Sequence, residues 1–297
     1  MDVLSNLKNS GFTFSKKYGQ NFLTDEKLLS DIACDAHIGR DDVVLEVGAG
    51  AGTLTRALAQ KAGKVIAFEI DRSLETTLSH TLRDFDNVTV IYDDVTKFGE
   101  EELDALTGKR YKVVANLPYY ITTPLLFMFL DRADPPVSLT VMVQKEVAER
   151  ICATEKKGDY GALSVSVAVR ADAEITRIVP RDKFIPAPNV DSAVVNIVLR
   201  GKTGAKDDAT LYGLIKKAFA MKRKTLTNNL SSGYSVTKPE AEAWLTEAGV
   251  KPSARAEELS PAQFVTLSDV IYAKTKILTE SKEVIPAIGK KQRIKRL

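Results

Sequence analysis

The sequence predicts an α/β fold, a doubly wound and mostly parallel sheet followed by a small C-terminal all-helical domain. Three observations carry this reading. Short β-rich runs alternate with amphipathic stretches through the first two thirds of the chain, a glycine-rich turn follows the first strong strand, and beyond the step Gly201-Lys202-Thr203-Gly204 the pattern is purely helical.

In chain order, strands are expected at Val43–Val47, Lys64–Glu69, Val88–Tyr92, Lys112–Asn116 and Leu139–Gln144, separated by helical stretches such as Leu54–Ala62, Leu74–Leu82 and Pro124–Leu130. The strands are apolar runs of the kind buried on both faces, and their alternation with helices requires right-handed crossovers. Two further β-rich runs, Ser164–Val169 and Val190–Leu199, follow one another without a clear helix and are expected to pair as an antiparallel edge. Past the hinge, Leu211–Lys222, Pro239–Ala248 and Pro261–Lys274 carry apolar residues at helical spacing, with both prolines in first-turn positions and Ser260 as an N-cap. The division expected is residues 1–200 for the sheet domain, 205–278 for a helical domain and 279–297 for a basic tail.

A chain of 297 residues with 44% hydrophobic and 27% charged residues is long enough for one large and one small domain. It has no uninterrupted apolar stretch of about 18 residues, and Met1–Lys17 lack an apolar signal core, so the expectation is a cytoplasmic protein away from membranes. Cys34 and Cys152 are far apart and show neither metal-ligand spacing nor a disulfide framework; both are expected to be free, in the core or half buried. His37 and His80 have no partners at ligand spacing. The net charge of +3 is unevenly spread: from Gly201 onward there are 18 Lys and Arg against 10 Asp and Glu, leaving 24 against 29 before it. An excess of that kind suits a surface that grips a polyanion, and also an ordinary solvated face. Its candidates are Lys216, Lys217, Lys222, Arg223, Lys224 and the run Lys290–Arg296.

The most informative local feature is Asn116-Leu117-Pro118-Tyr119, directly after the run Tyr111–Ala115. The proline ends the strand, which presents Asn116 and Tyr119 at its carboxyl end, where open α/β sheets bind their ligands. The Asn116 amide offers an acceptor to an N–H, the Leu117 carbonyl a second, and Tyr119 a flat face for stacking. The same four residues also make a serviceable strand-ending turn.

The cofactor signals lie upstream. Glu46-Val47-Gly48-Ala49-Gly50-Ala51-Gly52 follows the first strand and opens a helix. Its Gly-x-Gly-x-Gly spacing differs from the dinucleotide fingerprint Gly-x-Gly-x-x-Gly. Glu69 ends the second strand, placed to accept both ribose hydroxyls, and Asp94 ends the third, placed to accept from an adenine amino group. Either acid alone reads as a solvated strand end, but the ordered series fits S-adenosylmethionine better than a nicotinamide, because no hydride chemistry is visible.

With these residues in place, the chain resembles the KsgA-type (RsmA) ribosomal RNA adenine dimethyltransferases. The likeness runs from Lys16 to about Leu230. It includes Gly19-Gln20-Asn21-Phe22-Leu23-Thr24-Asp25, the Asn116–Tyr119 motif, Gln144–Arg150, Tyr160-Gly161-Ala162-Leu163-Ser164 and Phe184–Val194. The resemblance implies a Rossmann-like class I methyltransferase fold. It also implies a pocket for S-adenosylmethionine lined by Asn21, Leu23, Gly48, Glu69, Asp94 and Asn116, with no metal. Asn116, Leu117 and Tyr119 would hold the target base, and Phe184 would stack on its other side. The implied partners are small-subunit ribosomal RNA and the immature small ribosomal subunit, met by a monomer. Two positions depart from the family pattern: Ala49 replaces a common proline, and Lys222 replaces the first of two arginines, keeping charge without bidentate phosphate geometry. Rival readings are a resistance methyltransferase of large-subunit ribosomal RNA, a DNA adenine methyltransferase, and an assembly factor that has lost catalysis. Asp191 and the Tyr160–Ser164 motif favour the small-subunit enzyme over the first, the Phe184–Val194 segment fits the second poorly, and intact Gly48, Glu69, Asp94 and Asn116 argue against the third.

Overall fold

The structure, a computed structural model, describes residues 20–283, with side chains through residue 276. Gly19 of the first motif and the basic run Lys290–Arg296 lie outside the described residues. The chain falls into two compact units, residues 20–152 with Arg170–Gly201, and Ala153–Val169 with residues 202–283.

In the first unit β1 (Phe22–Leu23) leads into α1 (Glu26–Asp35), then β2 (Val43–Val47), α2 (Thr53–Ala59), β3 (Lys64–Phe68), α3 (Glu75–Leu82), β4 (Val88–Ile91), α4 (Glu100–Thr107), β5 (Tyr111–Asn116), α5 (Thr122–Leu130), β6 (Ser138–Gln144) and α6 (Lys145–Ile151). Three strands complete it: β7 (Ala171–Val179), β8 (Phe184–Ile185) and β9 (Ser192–Leu199). The large sheet runs β4-β3-β2-β5-β6-β9-β7, with the first five strands parallel and the last two antiparallel to their neighbours. The chain builds outward from β2 through β3 to β4, then restarts on the other side at β5. The gap between the ends of β2 and β5 is therefore a topological switch point, where a crevice opens in this class of sheet.

Local chemistry accounts for the elements. Asp25 caps α1 by accepting from the Leu28 amide at 3.1 Å, and every residue of β6 but Gln144 is buried, as a central strand requires. At the outer edge, a bulge near Thr176 in β7 turns that strand toward α1. There the Arg177 guanidinium donates to both Asp35 oxygens at 2.7 and 2.9 Å, and the Thr176 hydroxyl joins them at 2.8 Å.

The second unit consists of α7 (Ala162–Ala168), α8 (Asp208–Ala218), α9 (Leu226–Tyr234), α10 (Lys238–Glu247) and α11 (Pro261–Glu283) around a core containing Leu214, Leu230, Trp244, Leu245 and Phe264. Thr237 and Glu240 cap the start of α10 reciprocally, with Pro239 in the first turn. Ser260 does the same for α11 with Gln263. Lys222, Arg223 and Lys224 are exposed on the turn before α9, which buried Asn229 pins by accepting from the Met221 amide at 2.9 Å.

Three expectations need correction. Ser164–Val169 is not a strand: Ala162–Ala168 is a helix, capped at Gly161 by the Ser164 hydroxyl at 3.0 Å. Leu163 through Val167 are all buried, so its small and β-branched residues show no polar face and read as an interior strand. The antiparallel edge exists, but β9 pairs with β7, whose residues largely alternate between exposed and covered. The segment Ala153–Val169, placed in the sheet domain by sequence order, groups with the helical unit; there the Tyr160 hydroxyl donates to the Leu259 carbonyl at 2.8 Å. Cys34 is exposed, whereas Cys152 is half buried.

Candidate active site

A cavity of about 280 Å³ opens at the carboxyl ends of β2, β3 and β5, over the switch point. Its wall includes Asn21, Leu23, Gly48, Glu69, Asp94, Asn116, Leu117 and Tyr119, so eight of the nine residues singled out in the sequence meet there.

The loop after β2 forms because its glycines reach conformations closed to other residues. Gly48 has φ +81°, and its amide and that of Ala49 both donate to the Phe68 carbonyl, at 2.9 and 3.0 Å. Gly50 has φ +58°, and a Cβ there would stand 2.9 Å from the Phe22 ring, so only glycine lets the loop and β1 approach. The Gly50 amide donates to Glu69 Oε2 at 2.7 Å, and the Asp71 amide to Glu69 Oε1 at 2.8 Å. Burial pushes the Glu69 carboxyl upward, and these two hydrogen bonds only partly offset it. Each oxygen keeps an acceptor site, which suits a pair of vicinal hydroxyls.

Asp71 fastens the incoming chain to the same corner. It accepts from Gln20 Nε2 at 2.6 Å and from the Ser73 hydroxyl and amide at 2.6 and 3.0 Å. Burial works against its charge, but these hydrogen bonds prevail and hold its carboxyl below the usual range. Asp94 caps the turn Val95–Lys97 through one oxygen, accepting from the Thr96 amide and hydroxyl at 2.9 and 2.8 Å. Its other oxygen has no hydrogen-bond partner among the described residues and can accept from a ligand amine.

At the end of β5, Asn116 Nδ2 donates to the Asn21 carbonyl at 3.1 Å, which leaves the amide oxygen as an acceptor. The Leu117 amide continues the ladder by donating to the Met142 carbonyl at 3.1 Å, while the Leu117 carbonyl accepts nothing from the described residues. The Pro118 carbonyl then closes the turn, accepting from the Ile121 amide and the Thr122 hydroxyl, both at 3.1 Å. Tyr119 is fixed through its hydroxyl, 2.7 Å from that of Ser192; burial pushes its phenol pKa up despite this bond. Tyr120 beside it is 60% exposed.

Phe184 sits elsewhere. It pairs with Leu23 across the β1–β8 ladder, is 2% exposed, and packs into the core that holds Ile32, Val114 and Met142. It is not part of the cavity wall.

Sequence reasoning passed over Glu46, the fourth residue of β2. It lines the cavity, is 1% exposed, and neither carboxylate oxygen has a hydrogen-bond partner. Burial pushes its carboxyl up to about 8; the Thr55 hydroxyl, near but outside hydrogen-bond geometry, opposes the shift, and the charge of Glu69 reinforces it. The available signal was a charge inside Val-Val-Leu-Glu-Val, where an apolar residue belongs.

These features fit S-adenosylmethionine: a glycine cradle that no side chain fills, acceptors after the next two strands, and an unpartnered buried carboxyl on the wall that suits a cationic ligand. No lysine, arginine or histidine lines the cavity among the described residues. Together, sheet order and strand-end chemistry define a class I S-adenosylmethionine-dependent methyltransferase. The chain belongs to the ribosomal RNA adenine dimethylase family, whose sequence profile matches residues 11–273.

Relatives include the ribosomal RNA small subunit methyltransferases A of Alkaliphilus metalliredigens and Clostridioides difficile. Each is 44% identical over 89% of this chain, covering 93% and 92% of their own lengths. Among solved structures, a dimethyladenosine transferase from Plasmodium falciparum shares the fold with a TM-score of 0.71 at 24% identity, over 89% of this chain and 98% of that one. The 23S rRNA methyltransferase ErmE gives 0.65 at 27% identity, over 85% and 100%. The protein is thus a ribosomal RNA adenine dimethyltransferase that uses S-adenosylmethionine. No helix among the described residues is long and apolar enough to cross a membrane.

Proposed function

We propose that this protein dimethylates the exocyclic amines of two adjacent adenosines in small-subunit ribosomal RNA during subunit biogenesis, acting as a cytoplasmic monomer on the immature small subunit. The observation that carries the chemistry is the pair of acceptors at the switch point, the Asn116 amide oxygen and the unpaired Leu117 carbonyl. The 44% identity to small-subunit enzymes supports the choice of subunit.

S-adenosylmethionine supplies the electrophilic methyl. Glu69 would hold the ribose hydroxyls, Asp94 the adenine amine, and Asn21, Leu23 and Gly48 would wall the pocket. The target base must leave its stack to reach Asn116, and Tyr119, locked by Ser192, offers it a flat face. An aromatic amine is a poor nucleophile because its lone pair is delocalised. Acceptance of its two N–H groups by Asn116 and Leu117 turns that lone pair out of the ring plane and stabilises the positive charge developing on nitrogen. Each transfer would exchange the donor's S–CH3 bond for an N–CH3 bond, leaving S-adenosylhomocysteine, and one proton would pass from the methylated nitrogen to water. The single N–H that remains would then be accepted by only one of the two groups while the pocket accommodates the added methyl. Phe184 reaches the base only if residues 184–191 shift on RNA binding. The helical unit, with its exposed Lys222-Arg223-Lys224 turn, is the proposed RNA grip.

The test is transfer of labelled methyl to small subunits from cells lacking the modification, with large subunits and naked RNA in parallel. Dimethyladenosine on small subunits alone is expected. Label on large-subunit RNA would move the protein to the resistance class, and cofactor binding without transfer would favour a non-catalytic assembly role.

A further inference from the structure

The Glu46 carboxyl, buried in β2, makes no hydrogen bond. Its strand, β2, lies between β3, which Glu69 directly follows, and β5, which ends at Asn116. A cofactor whose ribose meets Glu69 and whose methyl points at Asn116 therefore crosses the end of β2, above Glu46. The sulfonium, the one charge that distinguishes donor from product since both carry the same ammonium, would then compensate a carboxylate that has no hydrogen-bond partner and no basic residue on the cavity wall.

From this placement we propose that Glu46 is a proton-coupled discriminator between cofactor and product. It is neutral in the ligand-free protein, releases its proton to solvent when cationic S-adenosylmethionine binds, and takes one up again once transfer has left the neutral thioether S-adenosylhomocysteine. The inference rests on the cofactor placement given above. Charge balance is kept: one proton leaves the carboxyl as the sulfonium arrives, and one returns from solvent as the sulfonium charge disappears. The neighbours agree in sign. Glu69 on β3 disfavours ionisation through like charge, Thr55 on α2 and Asn116 on β5 are neutral, and Asp93 and Asp94, on the same wall, add only negative charge. A buried acid in an acidic cavity stays protonated until a cation arrives. Product, lacking that cation, leaves Glu46 protonated and is held less tightly than donor.

Proton release on binding decides the matter directly. Calorimetry of the wild-type protein, in two buffers of different ionisation enthalpy, counts protons for S-adenosylmethionine and S-adenosylhomocysteine. Near pH 6.5 the expected result is release approaching one proton for the donor and clearly less for the product. Because the carboxyl is pushed up to about 8, the donor Kd should fall by up to about tenfold per pH unit from about pH 6 to 7.5 and level off above. Glu46→Gln should flatten that profile and narrow the donor-to-product preference. Equal proton release for both ligands, or an unchanged pH profile in Glu46→Gln, would overturn the proposal while leaving the cofactor site intact. Failure of either ligand to bind would remove the site itself and the inference with it. Should the variant not fold, the wild-type proton count alone decides.

Discussion

Asn116 Nδ2 donates to the main-chain carbonyl of Asn21 at 3.1 Å, joining residues 95 positions apart. The bond orients the amide: with nitrogen tied to Asn21, the oxygen is left as the acceptor proposed for the substrate amine. Replacing Asn116 by alanine removes the acceptor proposed to gain strength in the transition state, so kcat should fall by roughly two to three orders of magnitude. Cofactor Kd should rise only several-fold. Single-turnover methyl transfer and calorimetry on the same preparation separate the two effects, and near-normal turnover would refute the acceptor role.

Glu69 is expected to matter for binding more than for chemistry. Glu69→Ala removes both the proposed ribose acceptor and the anchor of the Gly50 amide. Hydrogen bonds to charged groups contribute about 1.5–3 kcal/mol, so the Kd for S-adenosylmethionine should rise by roughly tenfold to over a hundredfold. At saturating cofactor, kcat should recover substantially, which steady-state kinetics will show.

Gly50→Ala tests the close approach of the loop to β1. The added Cβ meets Phe22 at 2.9 Å on a backbone with φ +58°. A loss of about 1–3 kcal/mol is expected, read as a lower midpoint in urea. Adding Phe22→Ala removes the clash but not the backbone strain, so the double variant should stay below the wild type.

Tyr119→Phe loses only the hydroxyl partner of Ser192. About 1 kcal/mol of stability and a small change in KM for RNA are expected, whereas Tyr119→Ala should raise that KM by tenfold or more through lost stacking. Equal effects of the two substitutions would assign Tyr119 to structure alone.

The Asp35–Arg177 pair makes a pH prediction. Hydrogen bonding from Arg177 holds the Asp35 carboxyl below its ordinary value. A depressed carboxyl contributes stability that is fully present above the unfolded value near 3.8 and lost as pH falls through the folded one. Arg177→Met should therefore lower stability near neutrality and flatten the acid limb below about pH 5, with the partial exposure of the pair keeping the effect modest. Urea titrations across pH 2.5–7 (a range of roughly that width) measure both limbs.

Much of the sheet was readable because strands buried on both faces are written as unbroken apolar runs. Val43–Val47 is found at its expected bounds, and the ends of β3, β4 and β5 lie within a residue of theirs. Acids and glycines at strand ends were equally plain, since sheet topology alone gathers them at one edge. What failed was local. The helix Ala162–Ala168 lacks a polar face, so its period is hidden, and α9 carries Asn, Ser and Gly that mask a helix held by tertiary packing. Glu46 escaped notice because a charge inside an apolar strand looks like noise until its burial is known. Phe184 shows the opposite problem: a motif position can be correct while its side chain faces the core.

The two-residue ladder between β1 and β8 carries a consequence for synthesis on the ribosome. Leu23 belongs to it and Asn21 directly precedes it, both on the cavity wall, yet the partner strand, Phe184–Ile185, is translated long after all five parallel strands. A nascent chain that has reached β6 holds the glycine loop and Asn116 but lacks the clasp that seats its own leading segment. Modification competence therefore arrives late, as a property of the nearly finished polypeptide, and a truncated product released at β6 carries the recognisable motifs without a closed pocket.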